Sequence, residues 1–356
     1  MKKWEENVKK VTPYTPGEQP KKEGIIKLNT NENPYPPSHK VEEILRNTDY
    51  RMLRLYPDPA ISSLVDALAN SYGIKKNQVF VGVGSDDVLA MCFMTFFGSG
   101  KKILFPDITY SFYEVWAKLF SIPYEKKALN KEFELVAEDY FCENGGIIFP
   151  NPNAPTGIEL SLEKVEEIIK NNQDVVVIVD EAYVDFGAKS ALPLIEKYDN
   201  LLIVQTFSKS RSMAGARIGF AMGNEKLISY LNDAKYSFNS YTIGSLNMHL
   251  AKVVLEDETY FKENLEKIVE TREWTKKELK KLGFDFWDSR ANFIFASHKK
   301  VGAKEIYLTL KEKGIYVRYF EKERIDNYLR ITIGKEGEMQ DLLQALKEIV
   351  GKRKML

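Results

Sequence analysis

Cysteine is nearly missing from this chain of 356 residues, where Cys92 and Cys142 are the only two. A disulfide framework is therefore excluded. Both thiols sit in apolar contexts, MCFMTFF and EDYFCEN, and read as buried or partly buried groups of a reducing compartment. An excess of one charge sign is lacking too. Lys and Arg number 51, as do Asp and Glu, so no net field draws the chain onto nucleic acid or an anionic bilayer. No apolar run is long enough to span a membrane, and the charged start MKKWEENVKK has no core of signal-peptide length. A cytoplasmic setting is expected. His39, His249 and His298 are too scattered to suggest a metal site.

What is present is a change of texture along the chain. Residues 1–40 carry Pro13, Pro16, Pro20, Pro34, Pro36 and Pro37 with little periodicity and read as an extended arm, packing on the smaller domain or on a partner subunit. From Val79 short apolar runs alternate with amphipathic stretches: VFVGVG then DDVLAMCFMTFF, KILF then SFYEVWAKLF, GIIF then SLEKVEEIIKN, followed by VVVIVD and LLIVQTF. That alternation predicts an α/β fold, with a mostly parallel sheet between helices over residues 41–245. Beyond 245 a long charged helical pattern, Glu258 to Leu282, leads into short strands and helices, which predicts a smaller α+β domain over 246–356.

Several strand ends carry chemistry. GVGSDDVL puts Gly82 and Gly84 after a strand, with Ser85 as helix N-cap and Asp86 and Asp87 in the first turn. Such a turn offers free backbone N–H groups to a phosphate, and serves equally as a plain capped turn. The apolar run Val175 to Val179 delivers Asp180 to a strand's carboxyl end, where it can hold a pyridinium nitrogen protonated or act as a turn residue. LLIVQTF delivers Ser208 and Lys209 to the same rim, ahead of a turn rich in Gly and Ala, where a crowded amine is a nucleophile for an aldehyde. Arg217 in GARIG can meet an anion with both nitrogens or pair with a surface carboxylate. The turn PNPNAPTG at 150–157 offers Asn151, Asn153 and Thr156. Arg318 in YVRYF and Arg330 in YLRIT are charged residues among aromatics and need an anionic partner.

In this order the residues resemble the fold-type I aminotransferases, the aspartate-aminotransferase-like proteins, from KLNTNENPYPPS to YLRITIG. The subgroup most similar is that of the histidinol-phosphate aminotransferases. The resemblance implies a large domain built on a seven-stranded, mostly parallel sheet that binds pyridoxal phosphate. Lys209 is then the Schiff-base lysine, Asp180 the partner of the pyridine nitrogen and Tyr183 a hydrogen-bond partner of the ring oxygen. Ala182 packs on one ring face and Tyr110 on the other. The cofactor's phosphate falls to Gly84, Ser85, Asp86, Ser208 and Arg217. This chain has Ala154 where relatives carry Asn before Pro-Thr-Gly, so Asn153 is taken as the ring-oxygen amide. Tyr56 of YPDP is lent by the neighbouring subunit of a homodimer, and Tyr35, Asn239, Arg318 and Arg330 meet the substrate. The implied reaction is transamination of histidinol phosphate with 2-oxoglutarate in histidine biosynthesis. An aromatic amino-acid aminotransferase and a phosphothreonine decarboxylase of the same fold are the alternatives.

Overall fold

In the computed structural model, which describes residues 2–352, two sheets organise the chain. The arm supplies β1 (Ile26–Leu28), after which come α1 (His39–Asn47) and α2 (Ser62–Tyr72). The larger sheet is laid down by β2 (Val79–Gly82), α3 (Gly84–Phe96), β3 (Ile103–Pro106), α4 (Phe112–Leu119), β4 (Tyr124–Lys127), β5 (Ile147–Pro150), α5 (Leu162–Lys170), β6 (Val177–Asp180), β7 (Leu201–Thr206) and β8 (Gly219–Gly223). Then come α6 (Glu225–Phe238), α7 (Ser245–Glu256), α8 (Glu258–Lys281), β9 (Phe284–Phe286), β10 (Phe293–His298), α9 (Ala303–Glu312), β11 (Ile315–Tyr319), β12 (Leu329–Thr332) and α10 (Glu336–Lys352).

The seven-stranded sheet has the order β2-β8-β7-β6-β5-β3-β4. Only β8 runs against the others, pairing antiparallel with β2 and β7. Every residue of β5, β6 and β7 is buried, as strands covered on both faces require. Each covering helix buries one stripe. In α5 the stripe is Val165, Ile168 and Ile169, and the Ser161 hydroxyl caps the Lys164 amide. Six strands therefore end at one edge of the sheet, which is where sites form in α/β proteins.

The second sheet has the order β1-β11-β12-β10-β9. Its outer strand comes from the arm: β1 pairs parallel with β11, Ile26 opposite Ile315 and Leu28 opposite Val317. Packing does not divide at residue 245, because Met248, Leu250, Ala251, Val254 and Leu255 of α7 belong to the core of the large sheet. The second core draws instead on α8 and the strands and helices C-terminal to it, through Ile268, Leu279, Ile294 and Leu346. We propose the division between α7 and α8. Cys92 is buried, but Cys142, expected at least partly covered, is exposed.

One close approach is not signalled in the sequence. Gly219 of β8 lies against the start of α3, where a Cβ on it would overlap the backbone of Gly84 and Ser85. Gly219→Ala is expected to lose about 1–3 kcal/mol of stability, read from urea denaturation of the cofactor-free protein.

Candidate active site

The carboxyl ends of β2, β3, β5, β6 and β7 surround a cavity of about 530 Å³ that also reaches the second sheet. Asp180 closes β6 and is buried. Its carboxylate accepts hydrogen bonds from the Tyr113 hydroxyl (2.7 Å) and the Ala182 amide (3.2 Å). Burial pushes its pKa up to about 6, although both donors favour the charged form. Lys209, three residues past the end of β7, directs its amine to the Thr30 carbonyl (3.2 Å) near the Tyr183 ring. The backbone there is held by Asn33, whose amide donates to the carbonyls of Lys209 (3.1 Å) and Ser210 (3.0 Å).

The Tyr183 hydroxyl accepts from the Asn31 amide at 2.8 Å. Thr332 of β12 donates to the other end of that amide at 3.1 Å and so fixes its orientation. Tyr183 thus keeps its own proton for an acceptor inside the cavity.

At the opposite end, α3 begins at Gly84, ahead of the expected cap. Val83 stands in the cap position without a side-chain bond, and Asp87 reaches back to its amide (2.9 Å), so Ser85 is not the cap. Gly84 has φ +83° and lies so close to Arg217 that a Cβ would come within 2.6 Å of the guanidinium. Arg217 meets Asp86 (3.2 Å) and Ser208 (3.4 Å), and Asp86 also takes the Tyr110 hydroxyl (2.7 Å). Open N–H groups at a helix start beside an arginine and a serine hydroxyl make a seat for a phosphate.

The second sheet supplies two cations. Arg318 and Arg330 stand directly opposite one another on β11 and β12, and Phe320 lies near both, at 5.6 and 5.7 Å. The Nε of Arg330 is out of reach of solvent and has no partner among the described residues. Burial, together with Arg318 nearby, pulls the pKa of Arg330 down. Like charges paired across a ladder repel, so the arrangement calls for an anion.

Eleven of the expected residues meet here: Ser85, Asp86, Tyr110, Asp180, Ala182, Tyr183 and Ser208, with Lys209, Arg217, Arg318 and Arg330; Gly84 lies directly behind Arg217. Four others do not. Asn153 lies outside the cavity, its amide taken up by the connection after β3 and by its own turn: it donates to the Ile108 carbonyl and the Thr156 hydroxyl and accepts from the Thr109 hydroxyl. Ala154 faces the cavity instead. The ring of Tyr35 lies against Lys267, Asn239 caps the end of α6 away from the cavity, and Tyr56 is 82% exposed, packed on Tyr241. Sequence reading missed Tyr14, whose ring stacks on Phe112 (4.2 Å) at the cavity wall, and Tyr113. Tyr14 sits in an aperiodic arm, and Tyr113 has the setting of an ordinary helix-core residue.

A profile of the aminotransferase class I and II family matches residues 23–346. The chain belongs to this family. Among relatives of the aminotransferase, a histidinol-phosphate aminotransferase of Brachyspira hyodysenteriae is 52% identical over 346 residues, covering 97% of this chain and 98% of its own. One of Clostridium beijerinckii is also 52% identical, over 349 residues and 98% of each chain. Among solved structures, the histidinol-phosphate aminotransferase of Clostridium acetobutylicum superposes with a TM-score of 0.85 at 23% identity, over 92% of this chain and 100% of its own. That of Sinorhizobium meliloti, in complex with pyridoxal-5'-phosphate, gives 0.83 at 23% identity, over 92% and 91%. The fold is that of these aminotransferases. Among the described residues, no helix is long and apolar enough to cross a membrane, and no group of three or more potential ligands could hold a metal.

The residues fit pyridoxal phosphate. A carboxylate kept from water suits a ring cation, an amine stands near it, and the glycine-lined turn suits a phosphate. In the cofactor-free protein, Asp180 ionises near 6 when folded and near 3.8 when unfolded. Its contribution to stability is therefore present below about 4 and lost as pH rises to about 6, by up to roughly 3 kcal/mol. Asp180→Asn should remove that loss, so the stability of the variant minus that of the parent should climb across this window. Thermal unfolding from pH 4 to 7 measures it; a flat difference would contradict the burial argument.

Proposed function

We propose that this aminotransferase moves an amino group from histidinol phosphate to 2-oxoglutarate, with pyridoxal phosphate held on Lys209. The observation that carries the substrate assignment is the opposed pair Arg318 and Arg330, with the unpartnered Nε at Arg330. Two guanidinium groups can take a phosphate through several charged hydrogen bonds at once.

When bound, the cofactor supplies an aldehyde for amine exchange and a ring that accepts electron density from the substrate's amine-bearing carbon. Asp180 would hold the ring nitrogen protonated, and the nearby cation would in turn keep Asp180 ionised. Tyr183, aimed by Asn31, would donate to the ring oxygen. Asn153 is placed elsewhere, and no other amide replaces it in this proposal. The amides of Ser85 and Asp86, with Ser208 and Arg217, would hold the phosphate, and Gly84 gives Arg217 its room. Tyr110 would cover one face of the ring and Ala182 the other. Once free, the Lys209 amine would take the proton from the substrate carbon and return it on the acceptor side. Tyr14 and Pro16 of the arm stand on the cavity wall and keep water from this proton.

We place the reaction in a homodimer. Tyr50, Leu53, Leu55 and Tyr56 are exposed, as are Phe238 and Tyr241, and Tyr56 joins the two groups through its 4.6 Å contact with Tyr241. Such a contiguous apolar face suits an interface. Through it Tyr56 would reach the second site.

Two experiments test the proposal. Arg318→Ala should lower kcat/KM for histidinol phosphate by roughly 10²-fold or more, the cost of unpairing a charged contact, and leave phenylalanine nearly unaffected. Equal losses for both substrates would refute the substrate assignment. Inactive Lys209→Ala and impaired Tyr56→Ala proteins, mixed and re-paired, should regain activity above either alone. No recovery in a verified mixed dimer would remove Tyr56 from the neighbouring site.

A further inference from the structure

The stretch 320–328 joins β11 to β12 and hence joins the two arginines. A connection between repelling charges is where a hairpin would be expected to open. Its middle is tied to the other sheet. Lys322 donates to the Asp107 carbonyl (2.6 Å), and Arg324 to the Asp107 carboxylate (2.9 Å) and the carbonyls of Leu129 (2.8 Å) and Asn130 (2.9 Å). Asp107 is itself steadied by the Leu129 amide (3.0 Å) and stands directly after β3, three residues before Tyr110.

These contacts are built rather than incidental. Arg324 adopts φ +70°, a left-handed conformation that a residue with a Cβ takes at a cost. Its guanidinium lies over Phe133 at 5.5 Å. Beneath runs an apolar cluster shared by the two sheets, with Ile108, Leu129 and Phe133 on one side and Phe295 and Ile325 on the other. Burial pulls the pKa of Lys322 down, with the cations Lys126 and Arg324 adding to the effect and Asp107 and Glu114 opposing it.

We propose that Asp107, Lys322 and Arg324 form a latch that fixes Phe320 and the two arginines over the cavity, and so determines how tightly the distal anion of the substrate is held. None of the three faces the cavity; they are positioning residues. The choice of anion rests on the histidinol-phosphate reading, whereas the latch itself does not.

Two variants test it in the cofactor-loaded enzyme. Arg324→Gly removes the guanidinium while relieving the left-handed backbone, and Asp107→Asn removes charge while keeping shape. Each should speed amide hydrogen exchange across 320–328. Each should also raise KM for histidinol phosphate by roughly 10–100-fold, with kcat unchanged and KM for unphosphorylated histidinol unmoved. The double variant should be no worse than the more damaged single one, since both break the same contact. Unchanged exchange, or KM values that rise together for both substrates, would overturn the latch. If the parent shows no preference for histidinol phosphate, the substrate reading fails alone, and exchange across 320–328 decides the latch by itself.

Discussion

A carboxylate removed from water is among the most expensive placements a folded chain can make unless a cation or good donors meet it. Asp180 is placed that way at the end of β6, with Tyr113 and a backbone amide as its donors. Much of the molecule serves this placement. The parallel strands on either side of β6 keep solvent away, α4 brings Tyr113, and the neighbouring strand β7 sets Lys209 at the same rim. Beside it Glu181, equally buried, is pushed up to about 7 by loss of solvent and is held by Ser190, Ala191 and Gln205. Adjacent residues at one strand end thus face different surroundings. Asp180 opens onto the cavity, while Glu181 is locked into the scaffold that supports it.

The second sheet is more than an accessory. Its strand β12 contributes Thr332, which orients Asn31 and through it Tyr183, as well as Arg330. Ahead of β1, the arm bridges the two sides. Glu18 is held there by Tyr307 and Lys311 of α9, Asn29 donates to the Glu18 carbonyl, and Tyr14 stacks against Phe112 of the other side. The cavity is therefore a three-part construction of two sheet edges and one extended segment.

How much of this is legible in the residues depends on how local the signal is. Strand-end positions such as Asp180 and Lys209 are announced by the apolar runs before them, since a buried strand has one place to deliver its last residue. The late arginines are visible because charge among aromatics is anomalous. Asn153 falls outside the cavity for a physical reason: its amide is taken by Ile108 and Thr109, far back along the chain, as well as by Thr156 of its own turn, and sequence does not reveal that competition. Tyr14, Asn31 and Asn33 act through partners about a hundred residues or more away, and no spacing rule reaches that far. The division near residue 245 slips because α7 and α8 adjoin with only Asp257 between them, while their apolar faces belong to different cores.

The pairing of β1 with β11 orders events in time as well as in space. A ribosome releases Ile26–Leu28 long before Ile315–Tyr319. The large sheet, all of whose strands lie between Val79 and Gly223, can condense while synthesis continues. The β1 strand must wait without that partner until β11 emerges. Only then does β1 dock, setting Thr30 near the amine of Lys209 and drawing the cavity wall across. The site is thus completed only after β11 has been made, and until then the cavity of a nascent chain lacks the wall that the arm supplies.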